Sequence, residues 1–351
     1  MTAKLPTIKE IARRLNISKS TVSRALHDHP SIGLRTRMRV KELAKELNYE
    51  PNQTAIFFQQ GKTFSIGVIL PDIGEAFFSK AISGIEDCAA KNNYTVLLAQ
   101  SHEDAALEKR IVDTLKNHRV DGVLVSISKN TSSYDHFEAL KRYNIPVVFF
   151  DRIPQLINIH FVACNMQRGT EDAVKFLLSA GHKIIGLING PETLLACGER
   201  MEGYKKAILK GGGFVNPALI VATDLTKKST HECMKKLLAL KEKPTAVVTF
   251  NDMVVLDAIE YCKEMKLKIN KDICFVSYSN LPFLQYLDSQ PLASVEQFPY
   301  LQGQKATEML LELISNAHDN EANDDAFYKI ILESKLILQN RKTKNKTAVS
   351  A

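Results

Sequence analysis

Residues Thr7–Leu26 read TIKEIARRLNISKSTVSRAL. Ile8, Ile11, Ala12 and Leu15 recur at three- and four-residue spacing, which places them on one face of a first short helix. Thr7 followed three residues later by Glu10 fits a capping box. Asn16 and Ile17 occupy a turn. Ser18 is placed to cap a second helix, whose apolar side is Val22, Ala25 and Leu26. The other side of that helix carries Lys19, Ser20, Ser23 and Arg24. Two such helices joined by a tight turn form a helix-turn-helix, whose second helix enters the major groove of DNA.

Outward from this stretch, HDHPSIG is a loop rich in turn formers. A third helix is expected over Leu34–Leu47, with Val40, Leu43, Ala44 and Leu47 buried. Arg35, Arg37, Arg39 and Lys41 give it a basic start. About 50 residues make a marginal core, so this module needs support from the rest of the chain or from DNA. Residues 1–62 hold 12 Lys+Arg against 5 Asp+Glu, and residues 340–351 hold four basic residues and no acid. Those ends carry +7 and +4, so the whole-chain charge of +7 leaves −4 for residues 63–339. A basic N-terminal module on a slightly acidic body points to a polyanion partner at that end. The tail after Gln339 has almost no apolar content and reads as a solvated, disordered end.

Next comes NYEPNQTAIFFQQGKT. Pro51 ends the third helix, and Asn52–Gln60 could make one or two helical turns, too few to be stable alone in water. Phe57 and Phe58 either pack on the following domain or wedge between base steps in the minor groove.

The two blocks Ile17-Ser18-Lys19-Ser20-Thr21-Val22-Ser23-Arg24 and Asn48-Tyr49-Glu50-Pro51-Asn52 resemble, in order and spacing, the lactose-repressor (LacI) family of bacterial transcription regulators. The resemblance implies a hinge helix after Pro51 that folds on operator DNA. It makes Asn52, Ala55 and Phe58 hinge contacts, with Phe58 at the position of the minor-groove lever, usually Leu. Base contacts are expected from Lys19, Ser20 and Arg24. Thr7, Ser18, Thr21 and Ser23 are expected to set register on phosphates. A salt bridge within the small domain is a competing role for Arg24.

From Phe64 the pattern changes. Apolar runs at Ser65–Leu70, Thr95–Ala99, Val120–Ser126 and Val147–Phe150 alternate with helical stretches. A second series has runs at Ile184–Ile188, Leu219–Ala222, Thr245–Phe250 and Ile273–Tyr278. Continuous apolar strands between helices indicate parallel sheets covered on both faces. The expected architecture is therefore an all-α helix-turn-helix domain (1–50), a hinge helix (51–62) and an α/β core (63–339) of two doubly wound lobes. The family's core is periplasmic-binding-protein-like, and the likeness extends over PDIGEAFFSKAISGIE, GHKIIGLINGP, RMEGYKKAI, TFNDMVVLDAI, ICFVSYSN and PLASVEQFPYLQG. It implies three crossings between lobes, placed near Val162–Asn165, Leu292–Glu296 and Ala326–Lys329. Lobe 1 would then hold about 63–162 and 293–326, and lobe 2 about 163–292 and 327–339.

Ligands of doubly wound sheets bind at the carboxyl ends of the strands, and a cleft between lobes is the natural site. The residues so placed are Phe77, Phe78, Ser126, Asp151, Arg152, Asn165, Arg200, Asn251, Asp252, Ser279 and Asn280. Arg200 matches the family arginine that holds ligand hydroxyls or a carboxylate, a role its planar fork suits. Helix capping competes for Asp252, and a structural salt bridge for Asp151. Where the family has G-[FY]-D this chain has Ser277-Tyr278-Ser279, and the position of a stacking aromatic is Leu225. The pocket should be less acidic than a common sugar site, which suits a phosphorylated or uronate-like carbohydrate or a non-sugar.

No GxSxG, HExxH or P-loop is present, and Gly211–Gly213 follows a helix rather than a strand. The six cysteines are scattered singly and read as reduced, buried thiols. No apolar run is long enough for a membrane span, and MTAKLPTIKE has no apolar signal region. The expectation is a cytoplasmic homodimer with no cofactor or metal and no catalytic residue. It would bind a pseudo-palindromic operator under control of a small, sugar-like effector. A solute-binding protein or a doubly wound enzyme without a DNA role are the alternatives.

Overall fold

The structure is a computed structural model and describes residues 6–50, 61–318 and 326–339. The expected hinge contacts Asn52, Ala55 and Phe58, with Phe57, lie outside the described residues, as does the basic tail. The chain separates into two compact units, Met1–Thr63 and Phe64–Ala351.

The first unit holds α1 (Ile8–Leu15), α2 (Lys19–Leu26) and α3 (Leu34–Glu46). Its core is Ile11, Ala12, Val22, Ala25, Val40 and Ala44, ringed by half-buried apolar residues including Leu15, Ile17, Leu26 and Leu43. Asn16 adopts a left-handed φ of 50° at the end of α1. An Asn tolerates that conformation, and it turns the chain sharply into α2. Ser18 caps α2 by accepting the Thr21 N–H at 3.0 Å. The expected capping box does not form. The Thr7 side chain makes no cap, and Glu10 pairs with Arg14 at 2.9 Å, one turn along the same helix.

The second unit holds two six-stranded sheets. In the first the order is β11-β5-β4-β3-β1-β2, built from β1 (Ser65–Leu70), β2 (Thr95–Gln100), β3 (Gly122–Val125), β4 (Val147–Phe150), β5 (His160–Cys164) and β11 (Lys329–Leu332), all parallel. In the second it is β12-β10-β9-β8-β6-β7, from β6 (Ile185–Asn189), β7 (Ile220–Ala222), β8 (Ala246–Thr249), β9 (Cys274–Tyr278), β10 (Ala293–Glu296) and β12 (Lys335–Leu338). Its pairings are parallel except β10 with β12.

Helices α4 (Ala76–Lys91), α5 (Ala105–Asn117), α6 (Asp135–Lys141) and α11 (Pro299–His318) accompany the first sheet. Helices α7 (Met166–Ser179), α8 (Leu195–Lys210), α9 (Lys227–Leu238) and α10 (Asp252–Glu264) accompany the second. The strands β1, β3, β4, β6, β8 and β9 are buried almost throughout, as sheets covered on both faces require. Helices α4 and α11 meet through two glycines. A Cβ on Gly84 would lie 2.1 Å from the Tyr300 carbonyl oxygen, and one on Gly303 2.1 Å from that of Ala81. Any side chain at either position would push the helices apart.

The crossings between lobes differ in part from expectation. The first crossing falls at Asn165, the end of the expected Val162–Asn165 segment, while the second expected segment, Leu292–Glu296, is mostly strand. β5 closes the first lobe before the chain leaves it, and β10 belongs to the second sheet, so the return follows it at Gln297–Phe298. The last crossing falls at Glu333–Ser334, between β11 and β12, rather than at Ala326–Lys329. Hydrogen-bond pairing decides which sheet takes these four- and five-residue strands, and a run such as KIIL or KLIL carries no mark of its partner. Strand β2 also departs from expectation. It is an edge strand with Leu97 and Leu98 exposed rather than buried.

Candidate functional site

Two surfaces present chemistry that the packing does not consume. The first lies on α2. Burial of Val22 and Ala25 against α1 and α3 turns Lys19, Ser20 and Arg24 to solvent. Among the described residues neither Lys19 nor Arg24 makes an ion pair, so the competing salt bridge for Arg24 does not form. Thr21 and Ser23 are half-buried, and the Thr21 and Ser18 hydroxyls bond to each other at 2.8 Å. Thr7 is exposed. The basic start of α3 is partly engaged elsewhere: Lys41 pairs with Asp28 at 2.6 Å, and Arg37 donates to the Asp28 carbonyl at 3.4 Å.

The second surface is a cleft with about 540 Å³ of empty volume, open solvent included. It lies at the carboxyl ends of strands from both sheets, around the points where the strand order reverses beside β1 and β6. Seven of the eleven residues expected at the strand ends line it: Phe77, Phe78, Asp151, Arg152, Arg200, Asn251 and Ser279. Glu75, Phe250 and Gln297 line it too and were not anticipated.

Four expected residues do not line the cleft. The Ser126 side chain is fully buried, and its hydroxyl faces the Arg152 N–H at 3.4 Å. Asn165 caps α7, accepting the Arg168 N–H at 3.0 Å, and its amide reaches Glu333 at 3.3 Å beside the last crossing. Asp252 is fully buried and accepts from the Leu281 N–H at 2.7 Å, from the Ser294 hydroxyl at 2.9 Å and from the Ser277 hydroxyl. It is thus a packing anchor for the loop after β9. Its neighbour Asn251 takes the capping role, accepting the Val254 N–H at 2.9 Å while still lining the cleft. Asn280 turns to Glu296, donating at 2.9 Å.

The two arginines of the cleft differ. Arg152 donates to the Glu103 carboxylate at 2.6 Å and lies 3.7 Å from that of Glu75. Arg200 is 3 % exposed and sandwiched between the rings of Phe250 and Tyr278, at 4.1 and 4.3 Å from their centroids. Its Nη2 approaches the sulfur of Met166 at 3.7 Å, and its Nε and Nη1 are buried with no hydrogen-bond partner among the described residues. A buried polar group without a partner is costly. The aromatic sandwich lowers that cost by cation–π attraction but leaves the N–H donors unfilled.

The acids of the cleft are held back. Burial raises the Asp151 carboxyl to about 6, against the pull of Arg152 and Arg200. Burial also raises Glu75, against Arg152. Asp151 forms no ion pair among the described residues, so the competing salt bridge is not made. With Ser279 where the family pattern has Asp, the wall beside β9 adds a hydroxyl rather than a charge. Leu225 packs with the apolar cluster of lobe 2 instead of entering the cleft.

Among the described residues no group of three or more His, Cys, Asp or Glu is placed to hold a metal ion, and no helix is long and apolar enough to cross a membrane. All six cysteines are free and buried, and burial raises the thiols of Cys164 and Cys262 to about 12.

Comparison with known proteins matches both parts of the chain to one family. Residues 7–52 match the family described as bacterial regulatory proteins, lacI family. Residues 63–332 match periplasmic binding proteins and sugar binding domain of LacI family. The HTH-type transcriptional repressor CytR of Escherichia coli (strain K12) is 32% identical over 312 residues, covering 89% of this chain and 91% of that protein. Catabolite control protein A of Priestia megaterium is 31% identical over 310 residues, covering 88% and 92%. A lac repressor dimer bound to operator and the anti-inducer ONPF shares the fold, with a TM-score of 0.79 at 23% identity, over 95% of this chain and 98% of that one. The chain belongs to the LacI family of bacterial regulatory proteins.

Proposed function

We propose that this protein is a non-enzymatic, operator-binding transcriptional repressor whose DNA affinity is set by a small polar effector, a carbohydrate or an acidic derivative of one, bound between the lobes of its core. Its relatives CytR, catabolite control protein A and PurR are transcriptional repressors or control proteins by name, and the core matches a sugar-binding family. The observation that carries the effector reading is Arg200. A guanidinium in the cleft wall, with two buried N–H positions unfilled, is supplied with acceptors when a carboxylate, phosphate or vicinal diol enters. Phe77, Phe78 and Phe250 offer apolar contact to the ligand body. Asn251, Ser279 and Gln297 offer donors and acceptors for orientation.

On the DNA side, exposed Lys19, Ser20 and Arg24 are the base readers, and Thr7, Ser18, Thr21 and Ser23 position the helix on phosphates. Two copies are required to read a pseudo-palindrome. The exposed Leu97 and Leu98 on edge strand β2 suit burial against a second copy.

The test is a thermal-shift screen of hexoses, sugar phosphates and uronates on the full chain, repeated on Arg200→Ala. A hit that stabilises the wild type, alters operator retention in a gel shift and loses both effects in Arg200→Ala supports the reading. Stabilisation by a hit that is equal in both proteins removes Arg200 from the site.

A further inference from the structure

Glu103 lies between α5 and the end of β2, in a segment that neither the cleft lining nor the family motifs include. Its carboxylate is shared. One oxygen accepts from Arg152 of the cleft wall at 2.6 Å, and the other accepts from the backbone N–H of Lys129 at 2.8 Å. Its own carbonyl accepts from the Asn130 side chain at 2.7 Å. His102 and Glu103 are both left-handed, with φ of 49° and 59°. Two consecutive non-glycine residues hold that conformation only where surrounding contacts over-determine it, and such positions cluster at switches and ligand clamps.

Lys129 carries the chain of contacts across the cleft. It sits in the loop after β3, in lobe 1. Its ammonium donates to the Asp224 carbonyl at 2.7 Å, and its own carbonyl accepts from the Thr193 hydroxyl at 2.5 Å. Both partners are in lobe 2, after β7 and β6. Those strands lie at the end of the second sheet away from β10 and β12, beside which the chain crosses. A contact there acts on a long lever arm about the crossings. Resting on the effector reading above, we propose that Glu103 is a positioning residue that ties the cleft arginine Arg152 to an interlobe bridge at Lys129, so that fixing Arg152 and closing the lobes are one event. A ligand that draws Arg152 off Glu103 would then also loosen the Lys129 loop, and a ligand that leaves the pair intact would favour closure. The two kinds of ligand would bias the lobes in opposite directions.

The chain has no tryptophan, so one introduced at Leu195, a cleft-lining residue 36% exposed, reports on the mouth alone. In full-length Leu195→Trp without any ligand, acrylamide quenching measures the open fraction. Lys129→Met should shift the closed–open equilibrium roughly fivefold toward open, the effect of one net hydrogen bond. Lys129→Arg, which keeps a donor of similar reach, should restore closure. Glu103→Gln should open the cleft as well, since a carboxamide accepts at one oxygen where the carboxylate accepts at two. In the Lys129→Met background it should add little. Unchanged quenching in Lys129→Met, or additive effects of the two substitutions, would overturn the proposal. Because no ligand is present, this result is independent of whether Arg200 holds the effector.

Discussion

The two faces of the cleft treat the same side chain in opposite ways. On the first lobe Arg152 is paired by Glu103 and approached by Glu75. On the second, Arg200 is more deeply enclosed yet has two nitrogens without an acceptor. A satisfied buried cation is part of the scaffold. An unsatisfied one marks where the protein is complete only with a ligand. The carboxylate on the second lobe shows that this side is not poor in polar complementarity: Asp252 is fully buried and has three hydrogen-bond donors. His231 Nε2 and Asn270 Oδ1 of the same lobe are also buried without a partner, so what sets Arg200 apart is that its unfilled nitrogens belong to a charged group lining the cleft.

The largest effect should come from breaking the paired face. Arg152→Met leaves the partly exposed Glu103 and Glu75 carboxylates without their cation; solvent screening lowers the cost below that of a fully buried pair, to about 2 kcal/mol, which urea denaturation of the ligand-free protein reads directly. Next is Arg200→Ala. It should lower affinity for the effector by roughly 10- to 100-fold, the range expected for hydrogen bonds to a charged group, measured by calorimetric titration. A smaller effect is the pH dependence of stability. Burial raises Asp252 to about 6 from an ordinary 3.8, so between those values the folded state holds a proton that the unfolded chain has released. Stability should therefore fall as pH rises through this window and level off above it. Asp252→Asn should flatten that decline, and an unaltered slope would assign it to another group such as Asp151. Smallest is Arg200→Met without ligand. Removing an uncompensated cation should leave stability within about 1 kcal/mol of wild type or raise it; a large loss would show that Arg200 is structural and would erase the contrast between the faces.

Most of the fold was legible because the strands at the centres of the two sheets are unbroken apolar runs, and because α1 and α2 separate their faces cleanly. The short strands β5, β10, β11 and β12 were not, because their membership is set by pairing with distant partners. In the cleft, Arg200 and Asn251 follow motifs that survive in the sequence. Glu103 lies outside them, and Glu75, though within the stretch PDIGEAFF, carries no mark of its partner: each acts through Arg152, which is 49 and 77 positions away in the chain, and nothing local announces the pair. Ser126, Asn165 and Asp252 have residue types suited to ligand contact at strand ends. Only the packed structure shows that they serve the Arg152 backbone, the α7 cap and the Leu281 turn.

Occupancy at Arg200 should control DNA binding by the helix-turn-helix unit. The most direct test is fluorescence anisotropy of an operator selected from random-sequence DNA, titrated with the full chain with and without the screened effector. The effector should change operator affinity at least about tenfold, a typical allosteric coupling, in the wild type but not in Arg200→Ala, whose affinity without effector stays at the wild-type value. An effector that binds the cleft yet leaves operator affinity unchanged would contradict this control.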